Sequence, residues 1–179
     1  MRVTREQMAE HRRKILESAG KLFRAKGFDA VTVAEVMQAA GLTHGGFYGH
    51  FKSKDDLIAE TLLHAFKPGG SGGDLAAFTN SYLSPRHRDD FADGCSTAGL
   101  AAETIRQAPA VRTAMTAGLA DTIERLSRQT AGKSAAARRR KAIGHWAAMV
   151  GALVLARSSD DLKLSDEILS ETRAWLEDR

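Results

Sequence analysis

Apolar residues in this chain recur at the spacing of an α-helix and rarely at the spacing of a β-strand. In residues 5–26, for example, Ile15, Ala19, Leu22 and Phe23 fall on one face of a helix. Alternation of β-branched and polar residues with a period of two is almost absent. Because helices and strands need different periods to bury one face, this pattern predicts an all-α fold.

Capping residues and glycines mark where the predicted helices begin and end. Thr32 and Ser53 are favourable N-caps, and Glu35 lies three residues after Thr32, as in a capping box. Thr43 is the predicted N-cap of a very short helix that follows a turn at Gly41. We therefore expect about nine helices, over residues 5–26, 33–40, 44–50, 54–66, 74–83, 96–107, 109–130, 134–158 and 165–177.

A glycine-rich segment, KPGGSGGD, interrupts the helical pattern near the end of the first third of the chain. Such a sequence cannot form a stable helix and is typical of a flexible linker. We therefore expect an N-terminal domain over residues 1–67, a linker over residues 68–73 and a C-terminal domain over residues 74–179.

The composition is that of a globular protein with a modest positive charge. The 179 residues include 26 Lys and Arg and 22 Asp and Glu, which gives a net charge of +4. The longest apolar run, residues 146–156, is far shorter than the roughly 20 residues that cross a membrane. The N-terminus lacks the apolar core of a secretion signal, and the single cysteine excludes an intramolecular disulfide. We expect a cytoplasmic protein that does not enter the membrane.

The positive charge is concentrated at the N-terminal end. Residues 1–26 hold eight basic and three acidic side chains, a net charge of +5, whereas residues 160–179 have a net charge of −4. A basic helix suits a partner that carries phosphate groups. A solvated helix face without a partner gives the same pattern, so charge alone leaves both interpretations open.

The sequence VTVAEVMQAAGLTHGGFYGHF indicates a helix-turn-helix unit over about residues 32–51. Gly41 supplies the positive φ that the turn between the two helices requires. A small shared core would fix the crossing of the two helices and leave the second helix exposed. The predicted members of this core are Val36, Ala40, Leu42 and Phe47.

The second helix of this unit has the residue types of a DNA-contacting surface. No acidic residue occurs between Val36 and Lys54. Glycines permit a close approach of the backbone, and hydroxyl, imidazole and ammonium groups supply hydrogen-bond donors and positive charge. The residues expected at the surface are Thr43, His44, Gly45, Gly46, Tyr48, His50, Lys52 and Lys54.

These motifs resemble the TetR-type family of helix-turn-helix transcriptional regulators. The resemblance rests on VTVAEVMQAAGLTHGGFYGHFKSKDDLIAETL and on the preceding ILESAGKLFRAKGFDAVTV, and it covers about residues 10–65. The G-L-T, F-Y-G-H-F and S-K-D-D-L elements follow in the order and spacing of the family. The resemblance implies a three-helix DNA-binding head joined to a helical domain that binds a ligand and forms a dimer.

The resemblance also implies roles for single residues. Tyr48 and Lys54 match positions that contact phosphates, and Thr32 matches the position where a helix N-terminus meets the DNA backbone. The implied homodimer uses the last two helices, residues 134–158 and 165–177. The broad apolar surface of the first of these helices independently favours a partner subunit. We expect a repressor of a palindromic operator, which an unknown small molecule releases.

Apolar and aromatic residues of the C-terminal half are candidates for a pocket that binds this effector, although core packing explains the same residues. Cys95 is either a redox-active thiol or a small packing residue. The candidate pocket residues are Phe78, Tyr82, Cys95, Met115, Trp146 and Met149.

The sequence contains no phosphate-binding loop, dinucleotide fingerprint, nucleophile elbow or zinc-protease motif. We therefore expect no catalysis, no cofactor and no metal. Two alternatives remain open. One is a helix-turn-helix protein that recruits other proteins without sensing a ligand, which requires a filled C-terminal core. The other is a small helical enzyme, in which Tyr48, His50 and Lys54 converge on a pocket.

Overall fold

The computed structural model describes residues 4–67 and 74–178. Within these ranges the chain forms nine α-helices, one short 3₁₀ helix and no strand, which confirms the predicted all-α class. The 3₁₀ helix is His44–Gly49, between α2 and α3. The α-helices are α1 (Arg5–Lys26), α2 (Val33–Ala39), α3 (Lys54–Ala65), α4 (Leu75–Tyr82), α5 (Pro85–Asp89), α6 (Ser96–Thr104), α7 (Pro109–Gln129), α8 (Ala135–Ser158) and α9 (Leu162–Glu177).

The observed helices differ from the predicted ones mainly at two places. The prediction lacks α5, a five-residue helix that follows the N-cap Ser84. It also starts the last helix three residues too late, because the carboxylate of Asp161 caps α9 by accepting hydrogen bonds from the backbone N–H groups of Lys163 and Leu164. The predicted linker, residues 68–73, lies outside the described residues.

The predicted caps of the helix-turn-helix unit are only partly correct. Thr32 caps α2, since its Oγ1 accepts a hydrogen bond of 3.2 Å from the backbone N–H of Glu35. The reciprocal half of the predicted capping box is wrong, because the Glu35 carboxylate pairs with Nζ of Lys26 on α1. Thr43 precedes the 3₁₀ helix without a side-chain capping bond.

One core joins the helix-turn-helix unit to the C-terminal helices. Phe23, Phe47 and Leu57 from the N-terminal half are buried in the same cluster as Leu100 and Met115 from the C-terminal half. α1 packs on α6, and α3 packs on α7. The N-terminal domain is therefore held directly by helices that follow the predicted linker.

The contact between α3 and α7 depends on a glycine. A Cβ atom at Gly118 would lie only 2.0 Å from a carbon of the Phe66 ring. Any larger residue at position 118 would therefore displace the ring that follows α3. The close approach of the two helices explains why a helix-disfavouring glycine lies in the middle of α7.

A second core holds α4, α8 and α9 together. Tyr82 from α4, Trp146, Met149 and Leu153 from α8, and Leu169 from α9 are all buried in it. The helix pair α8 and α9 thus forms the base on which α4 rests.

Two arginines fasten α5 to the second core. The nearly buried guanidinium of Arg88 pairs with Asp166 on α9 and donates a hydrogen bond of 3.0 Å to Oγ of Ser165. Arg157 on α8 donates to the backbone carbonyls of His87 and Arg88, at 2.8 and 3.0 Å. These bonds satisfy carbonyl groups at the end of a helix that is too short to be stable alone.

α8 has one buried face and one exposed apolar face. Trp146 and Met149 point into the second core, whereas Ile143, Val154 and Leu155 are exposed. The glycines at positions 144 and 151 have open space around them, so the backbone of α8 is accessible between the exposed side chains. The apolar surface predicted for this helix therefore divides into a face that the chain covers and a face that it does not.

Candidate nucleic-acid interface and effector cavity

The helix-turn-helix unit has the core that the sequence predicts. Gly41 adopts φ of 71°, which places α2 and the 3₁₀ helix at an angle. Val36 and Phe47 are fully buried between them, and Ala40 and Leu42 pack against the same core. The second helical segment is consequently held by one deeply buried side chain, Phe47, and its other side chains are free to face outward.

Most of the residues predicted to contact DNA are exposed. Tyr48 is 73% exposed, although its ring packs edge-on against Phe47 at 5.2 Å between ring centroids. An exposed tyrosine held by a buried neighbour keeps its hydroxyl directed outward. The other exposed members of the predicted set are Thr32, Thr43, His44, Gly45, Gly46 and Lys52.

The segment His44–Gly49 is a 3₁₀ helix rather than an α-helix. Apart from neighbouring residues in the chain, no atom lies within 4 Å of the position where a Cβ would stand at Gly45 or Gly49. At Gly46 that position lies 3.6 Å from Cε of the buried Met37, an ordinary packing distance. The backbone at Gly45 and Gly49 is therefore open to a ligand without side chains in between.

Lys54 and His50 are less exposed than the sequence suggests. Nζ of Lys54 lies 3.5 Å from the backbone carbonyl of Asp29, which holds the ammonium group near the start of α3. The backbone carbonyl of His50 accepts a hydrogen bond from Arg12, which also stands over the Phe51 ring at 4.5 Å. Burial, together with His11 and Arg12, lowers the pKa of His50, so its imidazole is neutral at neutral pH.

The positive charge of α1 does not form a free face. Arg13 pairs with Glu10 and Glu17 on the same helix, each at 2.7 Å. Arg12, Lys21 and Lys26 pair with acids on other parts of the chain, as Lys21 does with Asp93. The basic character of the exposed surface therefore comes from the acid-free stretch around the 3₁₀ helix rather than from α1.

A cavity of about 890 Å³ lies between α1 and α3 on one side and the C-terminal helices on the other. Four of the predicted effector-binding residues, Phe78, Tyr82, Cys95 and Trp146, line it. Met115 and Met149 do not line it, because Met115 is buried in the first core and Met149 in the second. α1 and α3 also contribute to the wall, through residues such as Gly20, Arg24 and Thr61 that were not predicted.

Aromatic rings form one wall of the cavity. Phe78 stacks on Trp146 with 6.5 Å between ring centroids, and Tyr82 meets Trp146 edge-on at 5.4 Å. Within the described ranges, Nε1 of Trp146 and Oγ1 of Thr61 are buried without a hydrogen-bond partner. The cavity therefore has an aromatic, largely apolar wall, as many ligand sites do.

Cys95 lies at the edge of this cavity as the N-cap of α6. Its Sγ accepts a hydrogen bond of 3.5 Å from the backbone N–H of Ala98, and its own backbone N–H donates to Nε2 of His87 at 3.1 Å. Cys95 also packs partly against the second core. The choice between a reactive thiol and a packing residue stays open.

The described residues contain neither a candidate metal-binding cluster nor a candidate membrane-spanning helix. Among residues 4–67 and 74–178, no group of three or more His, Cys, Asp and Glu side chains is placed to bind a metal ion. No helix in these two ranges has both the length and the apolar character that crossing a bilayer demands.

The helix-turn-helix unit has sequence relatives with known names. Residues 15–61 match the family of bacterial regulatory proteins called the tetR family. The regulator AcrR of Shigella flexneri is 41% identical over 59 residues, which are 33% of this chain and 27% of AcrR. The repressor KstR2 of Mycolicibacterium smegmatis is 37% identical over 59 residues, 33% of this chain and 29% of KstR2. The matched part thus spans less than a third of these relatives.

Solved structures resemble the chain over nearly its whole length. Reduced NemR of E. coli has a TM-score of 0.77 at 21% identity, and the match covers 94% of this chain and 95% of NemR. A TetR-family regulator of Agrobacterium tumefaciens has a TM-score of 0.71 at 21% identity, with 96% and 98% covered. The fold and the surface define a helix-turn-helix protein with a helical C-terminal domain. Over residues 15–61 the chain is similar to the tetR family, and its fold over nearly the whole length is similar to that of solved TetR-family regulators.

Proposed function

We propose that this protein is a sequence-specific DNA-binding transcriptional regulator, and that it is a repressor which a small molecule releases from its operator. The observation that supports this most strongly is the exposed 3₁₀ helix, which lies in a stretch of sequence without acidic residues. The presence of repressors such as KstR2 among the relatives supports the direction of regulation.

DNA binding at this surface divides into two kinds of contact. Tyr48 and Lys54 bind phosphates, and the N-terminus of α2 at Thr32 also meets the DNA backbone. The start of the 3₁₀ helix, Thr43 and His44, faces the base edges in the major groove. Gly45 and Gly46 let the backbone of this segment approach closely.

A homodimer through α8 and α9 completes the proposed repressor. The uncovered apolar side chains of both helices support it, because such a patch on a monomer is unusual. Two-fold symmetry then presents two 3₁₀ helices to a palindromic operator, with half-sites about one helical turn apart. The exposed apolar residues of the two helices are Ile143, Val154, Leu155, Leu162, Leu164 and Trp175.

Release by a small molecule follows from where the cavity lies. Its wall contains residues of α1 and α3, which belong to the DNA-binding half, as well as residues of α4 and α7. A ligand that binds one arrangement of these helices better than another shifts the population between them. A coupling of about 1–3 kcal/mol is enough for useful regulation.

The two alternative functions are less well supported. A protein that only recruits partners needs no cavity, yet 890 Å³ is within the range of small-molecule sites. An enzyme would need Tyr48, His50 and Lys54 to converge on a pocket, but none of these residues lines the cavity.

The experiment that tests the proposal is capture and sequencing of the fragments that the purified protein retains from the DNA of its source genome. Enrichment of a palindromic site supports the proposal. Retention that is independent of sequence contradicts it.

A further inference from the structure

We propose that the cavity binds an organic anion with an apolar body, and that Arg24 holds its carboxylate. This inference rests on the proposed function, because it names the chemical class of the effector of the same cavity. The evidence for it is the set of ion pairs and hydrogen bonds that the charged side chains of the cavity wall make.

Acidic side chains that line the cavity are already engaged. The carboxylate of Glu17 accepts a hydrogen bond of 2.7 Å from Arg13, and that of Asp93 lies 3.1 Å from Nζ of Lys21. The carboxylate of Asp90 accepts a hydrogen bond of 2.9 Å from the backbone N–H of Asp93. The cavity therefore offers a ligand few unsatisfied acceptors.

Three arginines of the wall, Arg24, Arg86 and Arg125, form no ion pair with a carboxylate among the residues that the structure describes, and the side chains of two of them bond to neutral groups. Arg24 donates from Nε to the backbone carbonyl of Ala92 at 2.7 Å and from Nη1 to Oγ of Ser96 at 3.4 Å. Arg125 donates to the carbonyl of Phe66 at 3.4 Å and to Oγ1 of Thr122 at 3.1 Å. Within the described ranges, no carboxylate forms an ion pair with either guanidinium, although Asp93 and Asp90 attract Arg24 from a longer distance.

Arg24 lies where a ligand would reach it from the cavity. Gly20 and Arg24 both line the cavity, and a Cβ at Gly20 would lie only 3.2 Å from Nη1 of Arg24. The guanidinium group thus lies along the bare backbone of α1 at the cavity wall, a position that a side chain at Gly20 would crowd. A guanidinium group suits a carboxylate because its N–H donors match the two carboxylate oxygens.

The aromatic side chains of the cavity wall determine what the apolar part of the ligand can be. Phe78, Tyr82 and Trp146 line the cavity and present ring faces and edges that an aryl or alkyl group would cover. The inferred ligand is therefore a monocarboxylic acid with an aryl or medium-length alkyl body.

Binding can be measured without DNA. Trp146 is the only tryptophan left in the full-length Trp175→Phe variant, so quenching of its fluorescence reports on the cavity. The probes are 2-naphthoate and octanoate, each compared with its primary amide. Acetate is the third probe, because it carries the carboxylate without an aryl group or a longer alkyl chain. We expect each acid to bind about tenfold or more tightly than its amide, and acetate to bind weakly.

Two variants and one control assign the anion contact. Arg24→Gln should reduce the preference for acid over amide to about threefold or less, whereas Arg24→Lys keeps part of it. Arg112→Gln, an exposed substitution on α7 away from the cavity, should leave the preference unchanged. Circular dichroism identifies a misfolded Arg24→Gln protein, and Arg125→Gln, for which we expect a smaller loss of preference, then serves as the second variant.

Several outcomes overturn the inference. Equal binding of acids and amides, unchanged preference in the folded arginine variants, or no binding of any probe at millimolar concentration each contradict it. Failure of the proposed function is distinguishable, since DNA retention is measured separately. A protein that retains a palindromic site but ignores the acids keeps the function and loses this inference.

Discussion

The carboxylate of Glu103 on α6 accepts a hydrogen bond of 2.7 Å from the backbone N–H of Phe28, at the turn that follows α1. The preceding residue, Gly27, has φ of 83°, and a Cβ there would lie 2.5 Å from the same carboxylate. A side chain of the C-terminal half thus stabilises the turn between α1 and α2. Together with the contact between Phe66 and Gly118, it joins the two halves of the chain independently of the predicted linker.

Replacing Glu103 tests this junction. Glu103→Ala removes the acceptor of a charged hydrogen bond and should lower the free energy of unfolding by about 1–3 kcal/mol. Glu103→Gln keeps an acceptor oxygen and should lose less. Chemical denaturation followed by circular dichroism measures both values. Glu124→Ala, an exposed substitution on α7, is the control; a loss in Glu103→Ala no larger than in this control contradicts the junction.

Gly118→Ala tests the packing of α3 on α7. The added methyl group overlaps the Phe66 ring, so we expect a loss of about 1–3 kcal/mol despite the better helix propensity of alanine. The matched control is Gly99→Ala on α6, where the new Cβ meets its nearest atoms at 3.8 Å. In thermal unfolding, the melting temperature of Gly118→Ala should be lower than that of Gly99→Ala. Equal melting temperatures would contradict the close packing of α3 on α7.

The stability of the fold should decrease in acid because of His87. Its Nδ1 lies 2.7 Å from the carbonyl of Tyr82, and its Nε2 accepts from the backbone N–H of Cys95, so the ring is neutral. Burial, helped by Arg157, lowers the pKa of His87 below its usual 6.5. Below pH 6.5 this histidine takes up a proton in the unfolded chain, whereas in the folded chain it stays neutral until a lower pH. The stability that is present above pH 6.5 is therefore lost as the pH falls.

Denaturation at pH 7, 6 and 5 measures this loss, which is at most about 1.4 kcal/mol per pH unit for one histidine. His50 and His145 contribute in the same direction, because burial lowers the pKa of each. His87→Gln should make the fall in stability with decreasing pH less steep. A variant with the same pH dependence as the natural sequence would exclude His87 as a cause.

The proposed dimer depends on the exposed face of α8. Leu155 is 60% exposed in the monomer, and Leu155→Glu places a charge in the middle of the expected interface. Light scattering at micromolar concentration should give a dimer for the natural sequence and a monomer for this variant. Ile105→Glu changes an equally exposed residue outside α8 and α9 and should remain dimeric. A monomeric natural protein, or a dimeric Leu155→Glu variant, contradicts the interface.

Much of the fold follows from patterns that are local in the sequence. The turn at Gly41, the core around Phe47 and most helix boundaries depend on residues a few positions apart, and all of these were predictable. The short α5 was not, because its stability comes from Arg157 and from the pairing of Arg88 with Asp166, nearly 80 residues away.

The candidate sites likewise have a part that follows from local sequence and a part that depends on residues far apart in the chain. The exposure of the 3₁₀ helix was predictable because it follows from one short segment of the sequence. The cavity wall was not, since Arg24 and Thr61 look like ordinary positions of α1 and α3 and reach the cavity only through packing with α6 and α7. The basic excess of α1 was misleading for a related reason: partners such as Asp93, far away in the sequence, neutralise it.

The most direct test of the account is the salt dependence of binding to the operator site recovered from genomic DNA. Tyr48→Ala and Lys54→Ala should each weaken binding, and Lys54→Ala should also reduce the slope of log affinity against log salt by about 1 per protomer. Arg128→Ala on α7 serves as the control for a general loss of positive charge. If both surface variants bind the operator with the affinity and salt slope of the natural sequence, the 3₁₀ helix is not the DNA-binding surface.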